Sequence, residues 1–141
     1  MPDFTLHAQL TRDTHSIGSF ALCQVLLMDD ALYPWLILVP QRAGIREIYQ
    51  LSAPEQALLM QESSFLAQRL AQFFNADKIN IAALGNVVPQ LHLHHIVRYQ
   101  TDSAWPAPVW GAHARVPYAP GQAVARVGEL KPLLQPMLLS C

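Results

Sequence analysis

The chain has 141 residues, a formal net charge of −1, 52% hydrophobic residues and only 13% charged ones. That length suits one domain with its own core, burying roughly two-thirds of the surface the unfolded chain exposes. Without a basic block it lacks the electrostatic footprint of a nucleic-acid binder, and its apolar runs fall far short of the ~18 residues of a membrane span. So many apolar side chains with so few charges point to an oligomer with an apolar interface. Residues 1–10 lack a charged stretch leading into an apolar one, so no signal peptide is expected and the chain reads as cytoplasmic. That setting keeps thiols reduced, so Cys23 and Cys141 are not expected to pair, and two isolated cysteines offer no metal-ligand spacing.

In chain order, residues 4–10 read as a short leading strand. Residues 20–28 (FALCQVLLM) are apolar throughout and read as a strand covered on both faces. The turn-forming run Asp29–Pro34 follows, and then residues 35–39 (WLILV) form a second strand antiparallel to the first. Gln41–Gln50 reads as a loop. Ser52 and Glu55 stand at capping-box spacing, so a helix starts there; its apolar positions recur every three or four residues as far as Phe74, and Asn75–Asp77 ends it. Residues 79–84 and 90–99 read as two further strands around a turn at Gly85–Pro89. From about residue 101 the chain is rich in Pro, Trp and Ala and is expected to be irregular, with short helical turns after Gly121, because Pro132 and Pro136 oppose one long helix. The order strand, strand, helix, strand, strand predicts an α+β domain spanning residues 1–141: an antiparallel sheet of about five strands with a main helix packed on it.

The chemical signal lies in residues 90–98, QLHLHHIVR. Side chains of a strand alternate between faces, so Gln90, His92, His94 and Arg98 share one face, while Leu91, Leu93, His95 and Val97 share the other. Imidazoles and an amide about 6–7 Å apart make a ladder suited to phosphate. One neutral imidazole can attack while its neighbours donate hydrogen bonds to non-bridging oxygens. His95, on the apolar side, reads as a buried structural residue in need of one hydrogen-bond partner. Arg98 reads as a solvated strand-end charge, Trp105 and Trp110 as packing residues, and Cys23 as a small buried apolar residue.

Ahead of the ladder, Gly85 can take a left-handed conformation and Asn86 offers an amide. The run from Gly85 to His94 (GNVVPQLHLH) resembles the signature of the histidine triad (HIT) family, in which an amide residue precedes alternating histidines. Residues 36–40 (LILVP), with Asp29 ahead of them, resemble the family's nucleotide-binding half, and residues 104–111 (AWPAPVWG) resemble a bacterial branch of it. The resemblance spans roughly residues 4–111. It implies a HIT-like fold, a homodimer with one sheet continued across the interface, and a nucleotide substrate. His92 matches the nucleophile that forms a covalent nucleotidyl-imidazole, and His94 the last triad histidine, which contacts the phosphate. Asn86 matches an amide that binds phosphate or the leaving group. Asp29, or its neighbour Asp30, falls near the residue that holds the ribose hydroxyls. The departure is Gln90, which stands where the family has its first histidine: it can orient a neighbour but carries no proton charge.

The resemblance implies a hydrolase or transferase acting at an α-phosphorus, with dinucleoside polyphosphates and nucleoside phosphoramidates as candidate substrates between which the sequence does not choose. His92 attacks, His94, Gln90 and Asn86 stabilise charge on the phosphoryl oxygens, and neither metal nor other cofactor is required. Two alternatives stay open: a nucleotide sensor that has lost turnover, and a zinc site built from His92 and His94 with His113 or His7.

Overall fold

The computed structural model describes residues 3–140. The Cys23–Cys141 pair therefore lies partly outside the described residues; Cys23 itself is a buried free thiol. Helix α1 (Ala8–Asp13) leads into strands β1 (Thr14–Ser19), β2 (Cys23–Met28) and β3 (Trp35–Pro40); after α2 (Ala53–Phe74) come β4 (Lys78–Ala82), β5 (Leu93–Arg98) and α3 (Gln122–Leu134). The five strands form one sheet in the order β1-β2-β3-β5-β4, every pair antiparallel. The α+β class and the main helix on an antiparallel sheet are as the sequence predicts.

Helix α2 begins where the capping box places it. The Ser52 hydroxyl accepts from Glu55 N–H and the Glu55 carboxylate accepts from Ser52 N–H, with Pro54 in the first turn. It ends at Asn75, whose left-handed backbone (φ 49°) closes the last turn. Its inward stripe carries Leu59, Leu66 and Leu70 and, unexpectedly for such a face, the fully buried Glu62. Its carboxyl oxygens accept the backbone N–H groups of Leu22 (2.8 Å) and Cys23 (3.0 Å), which satisfies both the buried polar side chain and the turn entering β2.

Elsewhere the structure departs from the sequence reading, each time for a non-local reason. The leading strand is Thr14–Ser19 rather than residues 4–10; α1 precedes it, capped by the His7 ring, which accepts from Gln9 N–H. Strand β1 is an edge strand with only Ile17 buried, so it carries almost no alternating signal. Phe20 and Leu22 belong to the turn joining β1 to β2, and are apolar because the turn is buried in the core. Residues 101–121 contain no helix or strand, but Gln122–Leu134 forms one continuous helix. Pro132 sits in its last turn, where it removes a single bond to the carbonyl of Gly128, and the burial of Leu130 and Leu134 outweighs that loss.

The central strands β2, β3 and β5 are buried on both faces. Helices α2 and α3 cover one, packing on Val25, Leu27, Leu36, Leu38, Leu93 and Val97. On the other, Leu26, Ile37, Val39 and Ile96 meet Phe4, Leu6 and Leu10 of the N-terminal segment and Val109 and Trp110 of the loop after β5. Arg98 lies on this second face and is not solvated: it is 2% exposed. It forms a two-pronged ion pair with Asp102 (2.8 and 3.0 Å), donates to Asn80 Oδ1 and Ala107 C=O, and lies over the ring of Trp105. A buried guanidinium needs this full set of partners, and here it fastens residues 102–107 to β5.

Candidate active site

His92 ends the lead-in to β5 and His94 lies within the strand, on the face away from α2. Both are nearly buried, with ring centroids 4.9 Å apart and planes at 70°. Residues 90–92 stand just outside the β-ladder; Leu91 N–H donates to Ile45 C=O. His95 points the opposite way and is fully buried against α2, where Ser63 provides the partner its burial demands, Oγ to Nε2 at 2.7 Å. From His92 to Arg98 the alternation expected is thus the alternation found, whereas Gln90 lies outside the strand.

The first contact of each ring fixes where its proton resides. His92 Nδ1 lies 2.7 Å from the Gln90 carbonyl oxygen. A carbonyl only accepts, so Nδ1 carries the hydrogen and Nε2 presents a lone pair. His94 Nδ1 lies 3.0 Å from the indole nitrogen of Trp35. An indole N–H only donates, so Nδ1 accepts and the hydrogen of the neutral ring is on Nε2. Two adjacent imidazoles are thereby set in opposite tautomers, one a base and one a donor. Burial holds both in the neutral form. It lowers His92 below the usual histidine value against the raising effect of the Gln90 carbonyl, with His7 lowering it further. His94 is driven down to about 3 by burial, assisted by His92 and His95.

The two rings line a cavity of about 430 Å³ whose walls are largely apolar: Trp35 and Ile37 from β3, Trp110 from the loop after β5, and Leu84–Val88 from the loop before it. Trp110 packs edge-on against both His94 and Trp35, which fixes the far side of the His94 ring. Asn86 lines the cavity from an exposed position, carried into place by Gly85, whose φ of 70° belongs to the left-handed region. A cavity of this size, mostly apolar with a few convergent polar groups, matches the usual form of a small-molecule site.

Three sequence-selected residues, His92, His94 and Asn86, therefore meet around one cavity. Two do not join them. The Gln90 side chain turns to the N-terminal segment, accepting from His7 N–H and donating to Thr5 C=O. Asp29 is bonded to His15 Nε2 (3.0 Å), Tyr118 N–H (3.1 Å) and Arg115 (3.3 Å), and lies outside the cavity wall. Asp30, its neighbour, is buried and accepts from Leu32 N–H within the turn. The carboxylate that does line the cavity is Asp13 of α1, held by Gln9 Nε2 at 2.7 Å. Asp13 and Trp35 carry no local sign of a site: one is a lone acid in a polar segment, the other a tryptophan opening an apolar strand. Among the described residues no group of three or more His, Cys, Asp or Glu side chains is gathered to hold a metal ion. His113, one of the candidate zinc ligands, instead stacks on Tyr33 and bonds its hydroxyl.

A family model for the HIT domain matches residues 9–101. Among solved structures, a histidine triad protein from Marinobacter aquaeolei VT8 is 53% identical and superposes with a TM-score of 0.93, covering 96% of this chain and 98% of its own. One from Bradyrhizobium japonicum is 42% identical (TM-score 0.88; 98% of this chain and 100% of that one), and one from Sinorhizobium meliloti 1021 is 43% identical (TM-score 0.86; 96% and 97%). No curated protein matches the sequence. With a family model spanning most of the sheet and the cavity, and relatives this similar over nearly their whole length, the chain belongs to the histidine triad (HIT) family.

Proposed function

We propose that the protein is a nucleotide hydrolase or transferase that acts at an α-phosphorus through a covalent nucleotidyl-His92 intermediate. The observation that carries this reading is the pair of opposed tautomers on the cavity floor: a bare Nε2 on His92 beside an Nε2–H on His94. In the first step the His92 Nε2 lone pair forms the N–P bond as the bond from phosphorus to the leaving group breaks. The ring becomes cationic at that moment, and its Nδ1–H bond to the Gln90 carbonyl becomes charge-assisted, so the interaction is stronger in the transition state than before it. His94 Nε2–H donates to a phosphoryl oxygen, and Asn86 offers its amide to the same group or to the leaving group. Water then attacks phosphorus, the N–P bond breaks, and the nucleoside monophosphate leaves as His92 returns to neutral. The apolar walls suit the base. Dinucleoside polyphosphates and nucleoside phosphoramidates are the substrates we infer.

The test is release of adenosine monophosphate from a diadenosine polyphosphate and from an adenosine phosphoramidate, with early samples quenched for intact mass. Wild type should release product and show a nucleotidyl adduct; His92→Ala should show no adduct and lose at least ~10³-fold in rate. Tight nucleotide binding without release from either substrate would overturn catalysis and leave a sensor. We also read the chain as a homodimer. The exposed Tyr49, Met60, Ile81 and Val87 continue the apolar surplus of the composition. A solution mass near twice 15.7 kDa is the expected result. Among the described residues no helix is long and apolar enough to cross a membrane.

A further inference from the structure

Gln90 poses a question that the chemistry above does not answer. It stands at the first position of the alternating ladder, yet its amide faces away from the cavity and grips two backbone groups 83 and 85 residues away: Oε1 accepts from His7 N–H at 2.8 Å, and Nε2 donates to Thr5 C=O at 2.9 Å. A primary amide presents an acceptor and a donor side by side, as a peptide group does, so it can pair with alternate residues of a passing chain much as a strand would. An imidazole carries its two nitrogens on divergent sides of the ring and cannot take both partners. The residue at this position is therefore fitted to hold a segment of chain.

That segment is a wall of the active cavity. Phe4 and Leu6 pack half-buried on the sheet face that bears the histidines, and α1 starts directly after the clamp with His7 as its cap. The helix brings Leu10, Gln9 and Asp13 to the cavity. Asp13 is the one carboxylate among the described lining residues; Gln9 Nε2 holds its Oδ2, and Oδ1 keeps only a distant guanidinium contact, 3.8 Å from Arg115. A carboxylate oxygen with free lone pairs at the edge of an apolar pocket is an acceptor for a hydroxyl of the ligand.

We propose that Gln90 is a positioning residue that staples residues 3–13 against the cavity, and that this arm contributes to substrate binding through Asp13, which accepts from a hydroxyl of the bound nucleotide. The inference rests on the nucleotide reading above, but it concerns binding and so can be judged without turnover. Gln90 acts through the arm, so its loss is felt in affinity first.

The probe is adenosine monophosphate, titrated by calorimetry into wild type, Gln90→Ala, Asp13→Ala and the double variant. Each single variant should weaken binding about tenfold, and the double variant should be little worse than Asp13→Ala alone, because both act through one arm. Where turnover is measurable, KM for the adenosine phosphoramidate should rise by a similar factor and kcat fall by a smaller one. Gln90→His should resemble Gln90→Ala. Hydrogen exchange at the His7 amide should quicken in Gln90→Ala while the amides of β3 and β5 keep their protection, which separates loss of the staple from general unfolding. Fully additive losses, unchanged affinity in Gln90→Ala, or a rise in kcat in Gln90→His would overturn the proposal. Absence of any binding by wild type would overturn this inference and the nucleotide reading together; binding without product would overturn only turnover.

Discussion

His94 and His95 are neighbours in β5, both buried, both kept neutral by burial, and they do different things. At His95 every valence is occupied. Nδ1 faces the carbonyl of Leu93 and Nε2 accepts from the Ser63 hydroxyl, so the ring is a satisfied part of the core between sheet and helix. At His94 one nitrogen is taken by Trp35, the other has no hydrogen-bond partner among the described residues, and the ring lines the cavity. Neither burial nor depressed basicity marks the functional ring, because both rings have them. What separates them is a nitrogen with no hydrogen-bond partner among the described residues, on a ring that lines the cavity, and the identity of the group that fixes the proton on the other.

The largest expected effect breaks that contrast at the level of rate. His94→Ala should lower kcat/KM by about 10²–10³, the usual consequence of losing a donor aimed at developing charge, with a folded protein remaining. His95→Ala should do the reverse. Its activity per folded molecule should stay near wild type, while stability falls by ~2–4 kcal/mol for a cavity that also leaves Ser63 unsatisfied. Steady-state rates and denaturant unfolding of the two variants side by side check both halves. Equal losses of rate would mean that the two faces of β5 are not functionally distinct.

Trp35→Phe sharpens the same comparison. It keeps an aromatic ring in the pocket but removes the N–H that holds the His94 proton on Nε2. The ring can then place its proton on either nitrogen, so kcat should fall about 3- to 10-fold, in line with one modest hydrogen bond. Nitrogen chemical shifts of the His94 ring should change from a single tautomer to a mixture. A rate loss with the tautomer unchanged would assign Trp35 to packing alone.

The alternation of β5 was legible because it is local: period two puts His92 and His94 on one side and His95 on the other whatever the strand pairs with. The start and end of α2 were legible for the same reason, since Ser52, Glu55 and Asn75 act within four residues of themselves. The partners that give each side chain its task were not. Gln90 meets Thr5 and His7, His94 meets Trp35 some 59 residues away, and Asp29 meets Tyr118. Arg98 illustrates the limit. Its ion-pair partner is only four residues on, yet the burial that makes the pair matter comes from Tyr33 and Trp105 folding over it. Asp13 reaches the cavity only because α1 is where it is, and α1 begins within residues 4–10, whose pattern reads as a strand.

In the folded protein acid reaches His95 before His94. Burial lowers His95 to about 4, opposed by its bond to the Leu93 carbonyl, and His94 to about 3. The unfolded chain therefore takes up protons near pH 6.5 that the folded one refuses, and stability falls as pH drops from about 6.5 towards 4. The slope approaches ~1.4 kcal/mol per pH unit for each such histidine. Above pH 6.5 this contribution is complete and flat. Asp102, held near 2 chiefly by its bond from Arg98, adds its own loss only below about pH 4, so between pH 6.5 and 4 the histidines act alone. His95→Leu should make the upper window shallower, leaving the share of the other buried histidines. Activity should decline on the acid side at a pH below 6.5, because protonated His92 has no lone pair and its basicity is lowered by burial. A stability profile that is level from pH 7 to 4.5 would show that these rings do not stay neutral in the folded state.

The smallest effect concerns the Ser63 hydroxyl. Leu93 C=O can only accept, so His95 holds its proton on Nδ1 and takes a hydrogen bond from Ser63 at Nε2. Ser63→Ala removes that donor and leaves one buried acceptor unpaired at nearly constant volume, a loss of ~1–2 kcal/mol by denaturant unfolding. Nothing on the cavity side of β5 changes in this variant, so kcat and KM should match wild type within error. His95 and Ser63 lock α2 to the strand from behind, whereas His94 is held by Trp35 from the cavity side. If Ser63→Ala nonetheless slowed the reaction, the geometry of His94 would have to depend on the packing of its neighbour across the strand, and the two faces of β5 would form one coupled unit.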